Sequence, residues 1–514
     1  MPNTYFDLLA FSFVFCLTVL LYRWRTKTVY PLPPGPKRLP IIGNFLDMPK
    51  SGEWVTYRKW GKDCGSDIIH VDTLGTPFII LNSAKAANDL LEKRSSLYSD
   101  RPALVAITKI LLLDWGMPVL PYGQTWRKQR KAFEHYSNSS ASLNYRDIQE
   151  KGVQDLLRRL SETPQDFMEH IRHMSGQTIL EMAYGIEVQS YNDPYIDAAE
   201  KVLQAIAFAS TAKASIFDAL PFLVHVPTWF PGFSFQKEAR KWVPYCTELI
   251  ETPYRAAKEA VVRAHPIVKE NGTARPSVVS SMLAQLENDR NSLDEDLVKH
   301  VPGTMYIAGV DTTVSAIFTF FLAMVLYPEV QKKAQAEIDA IIGHDRLPEF
   351  ADEDSLPYTT ALMKEVLRWH PVAPLGVPHR VVSDDIYEGY HIPAGSLIIG
   401  NSWAMLHDES IFPDAASFKP ERFLGPSANK FPDAAFGFGR RVCPGRFIAR
   451  ASIWITIASV LATFDISKAV DDDGKLIEPA EEYSSGLVSY PAPFRCQIRS
   501  RSLTVETLIR SVVD

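Results

Sequence analysis

The residue in this chain best placed to do chemistry is Cys443, in Phe436-Gly437-Phe438-Gly439-Arg440-Arg441-Val442-Cys443-Pro444-Gly445. Two glycines let the backbone wrap tightly around one atom, and Pro444 suits the first position of a helix over Arg446 to Phe464. The Cys443 sulfur then sits at a helix N-terminus, where free N–H groups and the positive dipole end favour thiolate over thiol. Such a thiolate is either a nucleophile or a metal ligand. A nucleophile needs an activating base, and no histidine lies near it in sequence. A dinucleotide loop is excluded because the third glycine of that motif would fall at position 442, which is Val442.

The other four cysteines, Cys16, Cys64, Cys246 and Cys496, are scattered and form no C-x-x-C pair, so neither a disulfide framework nor a zinc ribbon is indicated. Glu365-Val366-Leu367-Arg368 places an acid and a base at i, i+3 on a helix that should stop at His370-Pro371. Asp311-Thr312 sets an acid beside an alcohol, a pair able to relay protons, although two threonines facing a core would look the same in sequence.

The pattern Phe-x-x-Gly-x-Arg-x-Cys-x-Gly at Phe436, Gly439, Arg441, Cys443 and Gly445 resembles the heme-binding loop of the cytochrome P-450 family. The resemblance covers almost the whole chain and is greatest to fungal microsomal members of the O-methylsterigmatocystin oxidoreductase type. It implies heme b, with Cys443 as the axial iron ligand. It implies a buried ion triad of Glu365, Arg368 and Arg422, the last from Pro420-Glu421-Arg422-Phe423, serving the fold and not the chemistry. Ala308-Gly309-Val310-Asp311-Thr312-Thr313 is similar to the oxygen-activating groove of the family's long central helix. The small Ala308 and Gly309 would admit the heme face, with Asp311 and Thr312 as catalytic residues. Trp126 and Arg130 match a Trp-x-x-x-Arg helix, and with Arg441 and His379 they are the expected partners of the heme propionates, since a dianion needs cations.

Function follows from the same resemblance: a monooxygenase of apolar or aromatic small molecules in fungal secondary metabolism. The expected pocket residues are Leu111 to Leu113, Met305, Val372, Ala373, Leu375, Leu487 and Val488. No phosphate loop or flavin domain is visible, so electrons must come from a separate chain, by resemblance the membrane-bound NADPH–cytochrome P-450 reductase. Arg127, Lys128, Lys131, Arg440 and Arg446 are its candidate docking residues. A heme-thiolate isomerase or dehydratase, a thiol hydrolase and a membrane-tethered binding protein are the rival classes.

The elements that must position these residues are mainly α with a minor β region: a cytochrome P-450 fold preceded by one N-terminal transmembrane helix. From Leu8 to Tyr22 no residue is charged, and Met1 to Tyr22 makes about 33 Å of helix, enough to span a bilayer core. Arg23, Arg25 and Lys27 follow, so the remainder should stay cytosolic at the endoplasmic reticulum membrane. Residues 1–29 are thus the expected anchor, 30–40 a proline-rich hinge with an extended strut from Tyr30 to Pro36, and 41–514 the catalytic domain. Within that domain a strand pair is predicted between Lys62 and Leu81, helices over most of Gln149 to Gly343, and short strands from Gly376 to Leu397 and near Tyr483 to Ile498. Ser292-Leu-Asp-Glu295 offers a capping box for the central helix, and Pro302 should kink or offset it. The loop Leu220 to Gly232 is too apolar for a plain connector and reads as core, lid or membrane contact.

Across 514 residues, 54 basic and 60 acidic side chains leave a net charge of −6, which excludes a nucleic-acid binder. With 46% hydrophobic and 22% charged residues the chain can bury a large core.

Overall fold

The computed structural model describes residues 30–190, 192–227, 234–264, 275–288 and 294–511. The expected anchor, residues 1–29, and much of the apolar loop ending at Gly232 lie outside the described residues. The longer helices are, in chain order, α1 Glu53–Cys64, α2 Gln124–Ser137, α3 Arg146–Glu162, α4 Phe167–Tyr184, α5 Pro194–Ala209, α6 Val243–Ala264, α7 Val278–Asn288, α8 Glu295–Leu326, α9 Pro328–Ile341, α10 Pro357–Trp369, α11 Arg446–Thr463 and α12 Leu503–Ser511. The strands are β1 Ile68–Thr73, β2 Thr76–Leu81, β3 His379–Arg380, β4 Asp385–Tyr387, β5 Tyr390–Ile392, β6 Leu397–Gly400, β7 Phe464–Lys468 and β8 Cys496–Ser500.

Helix α8 is the axle. It is apolar on every side, as expected of a helix surrounded by others, and its core face joins α3, α4, α9, α10 and α11 in one hydrophobic cluster. Both α8 and α11 are long and apolar enough to cross a membrane, yet 72% of each apolar window is buried in this core. The start of α8 differs from the predicted capping box. Asp294 is the N-cap, its carboxylate accepting the Leu297 N–H at 2.8 Å, and Glu295 is the first helical residue; Ser292 lies outside the described residues. The helix continues through Pro302 without a break.

The caps of α10 come from outside it. Pro357 opens the helix with its φ already set, and the Glu337 carboxylate of α9 accepts the N–H groups of Tyr358 and Thr359 at 2.7 and 2.8 Å. Pro371 then helps stop the helix, which ends at Trp369 in front of His370.

The main sheet has the order β1-β2-β6-β3. The β1–β2 hairpin pairs Ile68 with Leu81 through Thr73 with Thr76, β2 runs parallel to β6, and β3 returns antiparallel with His379 opposite Ile398. A second antiparallel pair, β7–β8, begins at Phe464, the residue where the helix was expected to end.

The proline segment is extended, but it lies on the domain instead of standing off it. Pro31 accepts the His391 N–H at 2.7 Å, Pro34 accepts the His70 N–H at 2.9 Å, and the Asn44 side chain reaches the carbonyls of Pro36 and Lys37. Proline removes donors but leaves carbonyls free, and the sheet region uses those carbonyls as edge acceptors.

Candidate active site

The cysteine loop is shaped by backbone contacts. Gly439 has φ +59°, and a Cβ there would stand 1.9 Å from the Leu91 carbonyl oxygen, so only glycine fits. The Cys443 N–H donates to the Phe436 carbonyl at 2.8 Å, which closes the loop. Helix α11 starts later than Pro444: Gly445 is its N-cap and Arg446 its first residue. The Gly445 N–H points to the sulfur, and Arg446 reaches round to the Cys443 carbonyl at 3.0 Å. Burial pushes the Cys443 thiol pKa up, against the pull of the Gly445 N–H and the charges of Arg130 and Arg446. Desolvation thus opposes the bias toward thiolate expected from the helix terminus, and a cation at the sulfur would favour the anion.

Cys443 opens on a cavity of about 870 Å³. Phe436, Gly437, Phe438, Gly445, Trp126, Arg130, Arg441, His379, Ala308, Gly309, Asp311 and Thr312 all line it, so the sequence motifs from four separate stretches meet in one chamber.

Above the loop lies a cluster of buried cations. Arg441 donates to the carbonyls of Ser99 and Leu120, both at 2.8 Å, and its guanidinium stacks 4.3 Å from the Trp126 ring. Arg130 donates to the Val442 carbonyl at 2.6 Å and to Glu134 at 2.7 Å, tying α2 to the cysteine loop. A third guanidinium, Arg101, lines the same cavity and donates to the carbonyls of Pro118, Val377 and Pro378. Sequence reasoning missed it, because a single arginine in Asp100-Arg101-Pro102 carries no motif. Burial holds Arg441 down at about 10, and burial plus the charge of Arg441 drives Arg101 well below its ordinary value. The nearby carboxylate, Asp100, is engaged by Arg380. His379 departs from the expected role of a cation: burial and Arg101 hold it neutral, with Nδ1–H donating to the Tyr98 carbonyl at 2.7 Å.

On the opposite wall, the Thr312 hydroxyl donates to the Ala308 carbonyl at 2.8 Å, one turn back along α8. Gly309 serves a second purpose beyond leaving room in the cavity. A Cβ on it would come within 2.8 Å of Ile179, so glycine is what lets α4 pack against α8 here, and the Ser175 hydroxyl bonds the Gly309 carbonyl at 3.1 Å. Asp311 is pushed up in pKa by burial, and the Tyr490 hydroxyl lies next to it without closing a hydrogen bond of ordinary geometry.

Of the expected pocket residues, Leu113, Met305, Val372, Ala373, Leu375, Leu487 and Val488 line the cavity. Leu111 is buried in the adjoining core, and Leu112 turns outward at φ +59°, half exposed; neither reaches the chamber.

Away from the cavity, Glu365 accepts from Arg368 at 2.7 and 2.8 Å and from Arg422 at 3.2 Å. The Lys419 N–H adds a fourth donor at 2.7 Å, and spare guanidinium donors of Arg368 go to the carbonyls of Leu406 and Ala415. On the outer side of the cysteine loop, Lys131 and Arg446 line a shallow hollow with Pro444 and Phe447, while Arg127 and Arg440 gather around Tyr122.

The donor set restricts what the cavity can hold. Among the described residues no group of three or more His, Cys, Asp or Glu could hold a bare metal ion. A metal at Cys443 must bring its other ligands in its own scaffold, and Arg101 and Arg441, which feel the Asp100 charge but bond only carbonyls, favour negative charge on that scaffold. An iron porphyrin with two carboxylates meets both requirements.

A family model described as Cytochrome P450 matches residues 33–497. The chain is 45% identical over 499 residues to cytochrome P450 monooxygenase ple1 of Rhodocybe pseudopiperita, covering 95% of this chain and 93% of that one. It is 44% identical over 501 residues to cytochrome P450 monooxygenase 208 of Postia placenta, covering 96% and 95%. Cytochrome P450 monooxygenase claR of Ampulloclitocybe clavipes is 41% identical over 489 residues, covering 94% and 89%. A thiol, a buried cation cluster and an apolar chamber arranged around one helix thus coincide with a match over nearly the full length, and the chain belongs to the cytochrome P450 family as a monooxygenase.

Proposed function

We propose that the chain inserts one oxygen atom of dioxygen into an apolar or aromatic small molecule, using heme held at Cys443 and electrons from NADPH passed by a separate reductase. The observation that carries this reading is the single chamber onto which Cys443, the guanidinium cluster and the Asp311–Thr312 pair all face. Heme bound there supplies the activation of dioxygen, with a thiolate donating electron density to the iron.

Each residue's part follows from its position. Cys443 would supply the sulfur that holds the heme. Arg101, Arg441 and Trp126 accept the propionate end, and a carboxylate beside His379 would draw its pKa back up toward the charged form. Arg130 keeps the loop seated by holding the Val442 carbonyl. Thr312 carries a hydroxyl that can turn from the Ala308 carbonyl toward the chamber, and Asp311 holds a proton for it. The aliphatic wall of Leu113, Met305, Val372, Leu375, Leu487 and Val488 excludes water and selects an apolar substrate. Glu365, Arg368 and Arg422 fix the heme-side fold.

The exposed side of the cysteine loop, with Arg127, Lys128, Lys131, Arg440 and Arg446, offers positive charge to an acidic reductase surface. Residues 1–29 anchor the chain in the endoplasmic reticulum membrane by composition, with residues 41–514 as the cytosolic catalytic domain. The resemblance to fungal microsomal members of the O-methylsterigmatocystin oxidoreductase type supports a reaction in secondary metabolism. The Asp311–Thr312 pair weighs against an isomerase or dehydratase, which needs no proton relay. The match of residues 33–497 to the cytochrome P450 family weighs against a thiol hydrolase.

The test is the absorption spectrum of the reduced, CO-treated protein. Cys443→Ser should abolish the heme-thiolate band, and an unchanged band removes Cys443 as the ligand.

A further inference from the structure

One end of the chamber is charged. Arg172 of α4, Glu200 of α5 and Asp311 of α8 line it together, with Tyr490 from the C-terminal loop. Helix register explains the meeting. Gly176 of α4 is the point where Ile196 of α5 and Val310 of α8 converge, 2.9 and 3.8 Å from where its Cβ would stand. Arg172 lies one turn before Gly176 and Glu200 one turn after Ile196, so both extend from that same seam, while Asp311 follows Val310 directly. Phe318 floors the group: the Arg172 guanidinium lies 5.2 Å from its ring and the Tyr490 ring 6.4 Å from it. Beyond Glu200 come Glu169 and Asp197, both exposed on the outer faces of α4 and α5. Arg172 and Glu200 both act on Asp311 through their charge, and Glu200 in turn feels the exposed Asp197 and Glu169.

We propose that Arg172 and Glu200 are positioning residues for Asp311, connecting it to solvent through the seam between α4 and α5 and setting how readily it takes up and releases a proton. This rests on the reading that Asp311 and Thr312 handle protons in the reaction. Arg172 transfers no proton itself, because a guanidinium does not give one up. Its work is electrostatic. A carboxyl set in a largely apolar wall stays protonated, and a relay group must be able to lose its proton near the working pH. Arg172 favours the carboxylate, Glu200 opposes it, and burial opposes it further. The charged and titratable groups facing Asp311 are Arg172 from α4, Glu200 from α5 and Tyr490 from the C-terminal loop.

The two charges make opposite predictions. In the heme-loaded full chain, the carboxylic acid infrared band of Asp311 can be identified by its loss in Asp311→Asn and titrated with pH. Arg172→Gln should move the midpoint up by about one pH unit or more, and Glu200→Gln should move it down, since each removes a charge of opposite sign. Arg172→Lys should restore the midpoint. Shifts in the same direction, or none, overturn the proposal. If Arg172→Gln takes up no heme, the direction of the Glu200→Gln shift decides alone. Thr312→Ala separates the underlying reading: peroxide release in place of product supports it, and full coupling removes the relay. Peroxide release in Thr312→Ala with unmoved infrared midpoints removes the Arg172–Glu200 link alone.

Discussion

Two clusters of buried arginines in this fold differ in what their guanidinium groups are bonded to. Around Glu365, the guanidinium groups of Arg368 and Arg422 share one carboxylate, and Glu365 and Arg368 are 0% exposed. Around the cavity, Arg101 and Arg441 make as many carbonyl contacts, but the carboxylate near them is engaged elsewhere. Carbonyl dipoles satisfy hydrogen bonds without neutralising charge. The first cluster is complete in its contacts, with both guanidinium groups bonded directly to the Glu365 carboxylate, and belongs to the scaffold. The second is complete only when an anion enters, and it faces the chamber where one fits.

The largest effect expected from this contrast is on the complete cluster. Glu365→Gln leaves two guanidinium groups buried without a counter-charge, which should cost about 3–5 kcal/mol of stability. Chemical denaturation of the full chain measures it, and a loss under about 1 kcal/mol would mean that the carbonyls alone suffice. The converse variant is Arg441→Gln. It should weaken heme retention by roughly tenfold to a hundredfold, the worth of one charge-assisted hydrogen bond. The same change should lower stability of the heme-free chain far less than Glu365→Gln. Heme transfer to an acceptor protein reads the first quantity and denaturation the second; equal losses in both variants would erase the distinction.

A smaller effect comes from acid. Burial holds His70 at about 4 and both His370 and His407 at about 3. Their folded pKa values lie below the unfolded value, so the unfolded chain binds more protons between them, and stability rises with pH in that window. The contribution is fully present above about 6.5 and is lost as pH falls toward 4 and 3, by at most about 1.4 kcal/mol per pH unit per histidine. His407 is close enough to Arg368 and Arg422 to feel their charge, so its protonation, later than that of His70 as pH falls, should soften the complete cluster. A denaturation midpoint that does not fall between pH 6.5 and 4.5 contradicts this assignment.

Much of the site was legible because its motifs are local. The spacing of Phe436, Gly439, Arg441, Cys443 and Gly445 is a single loop, and the reason for Gly439 is visible once Leu91 stands against it. The Glu365–Arg368 pair is one turn of helix. What stayed hidden depended on partners far away in the chain. Arg101 acquires meaning only beside Arg441, and Arg172 and Glu200 only beside Asp311, because the seam joining α4, α5 and α8 carries no sequence signature. The proline segment was legible as extended but not as docked, since its acceptors meet donors on His70 and His391. Leu112 illustrates the limit in reverse, an apolar residue whose backbone turns it outward.

By itself the sequence determined the family, the loop that carries Cys443, the acid–alcohol pair on the central helix and the mainly helical architecture. Each of these rests on residues within one or two helical turns, where spacing and backbone geometry are enough. Only the tertiary structure decided which arginines bond a carboxylate and which bond carbonyls alone, that His379 is turned toward the Tyr98 carbonyl, and that burial and the helix terminus pull on Cys443 in opposite directions. Those outcomes depend on burial and on charges from distant segments, and no local pattern of residues records either.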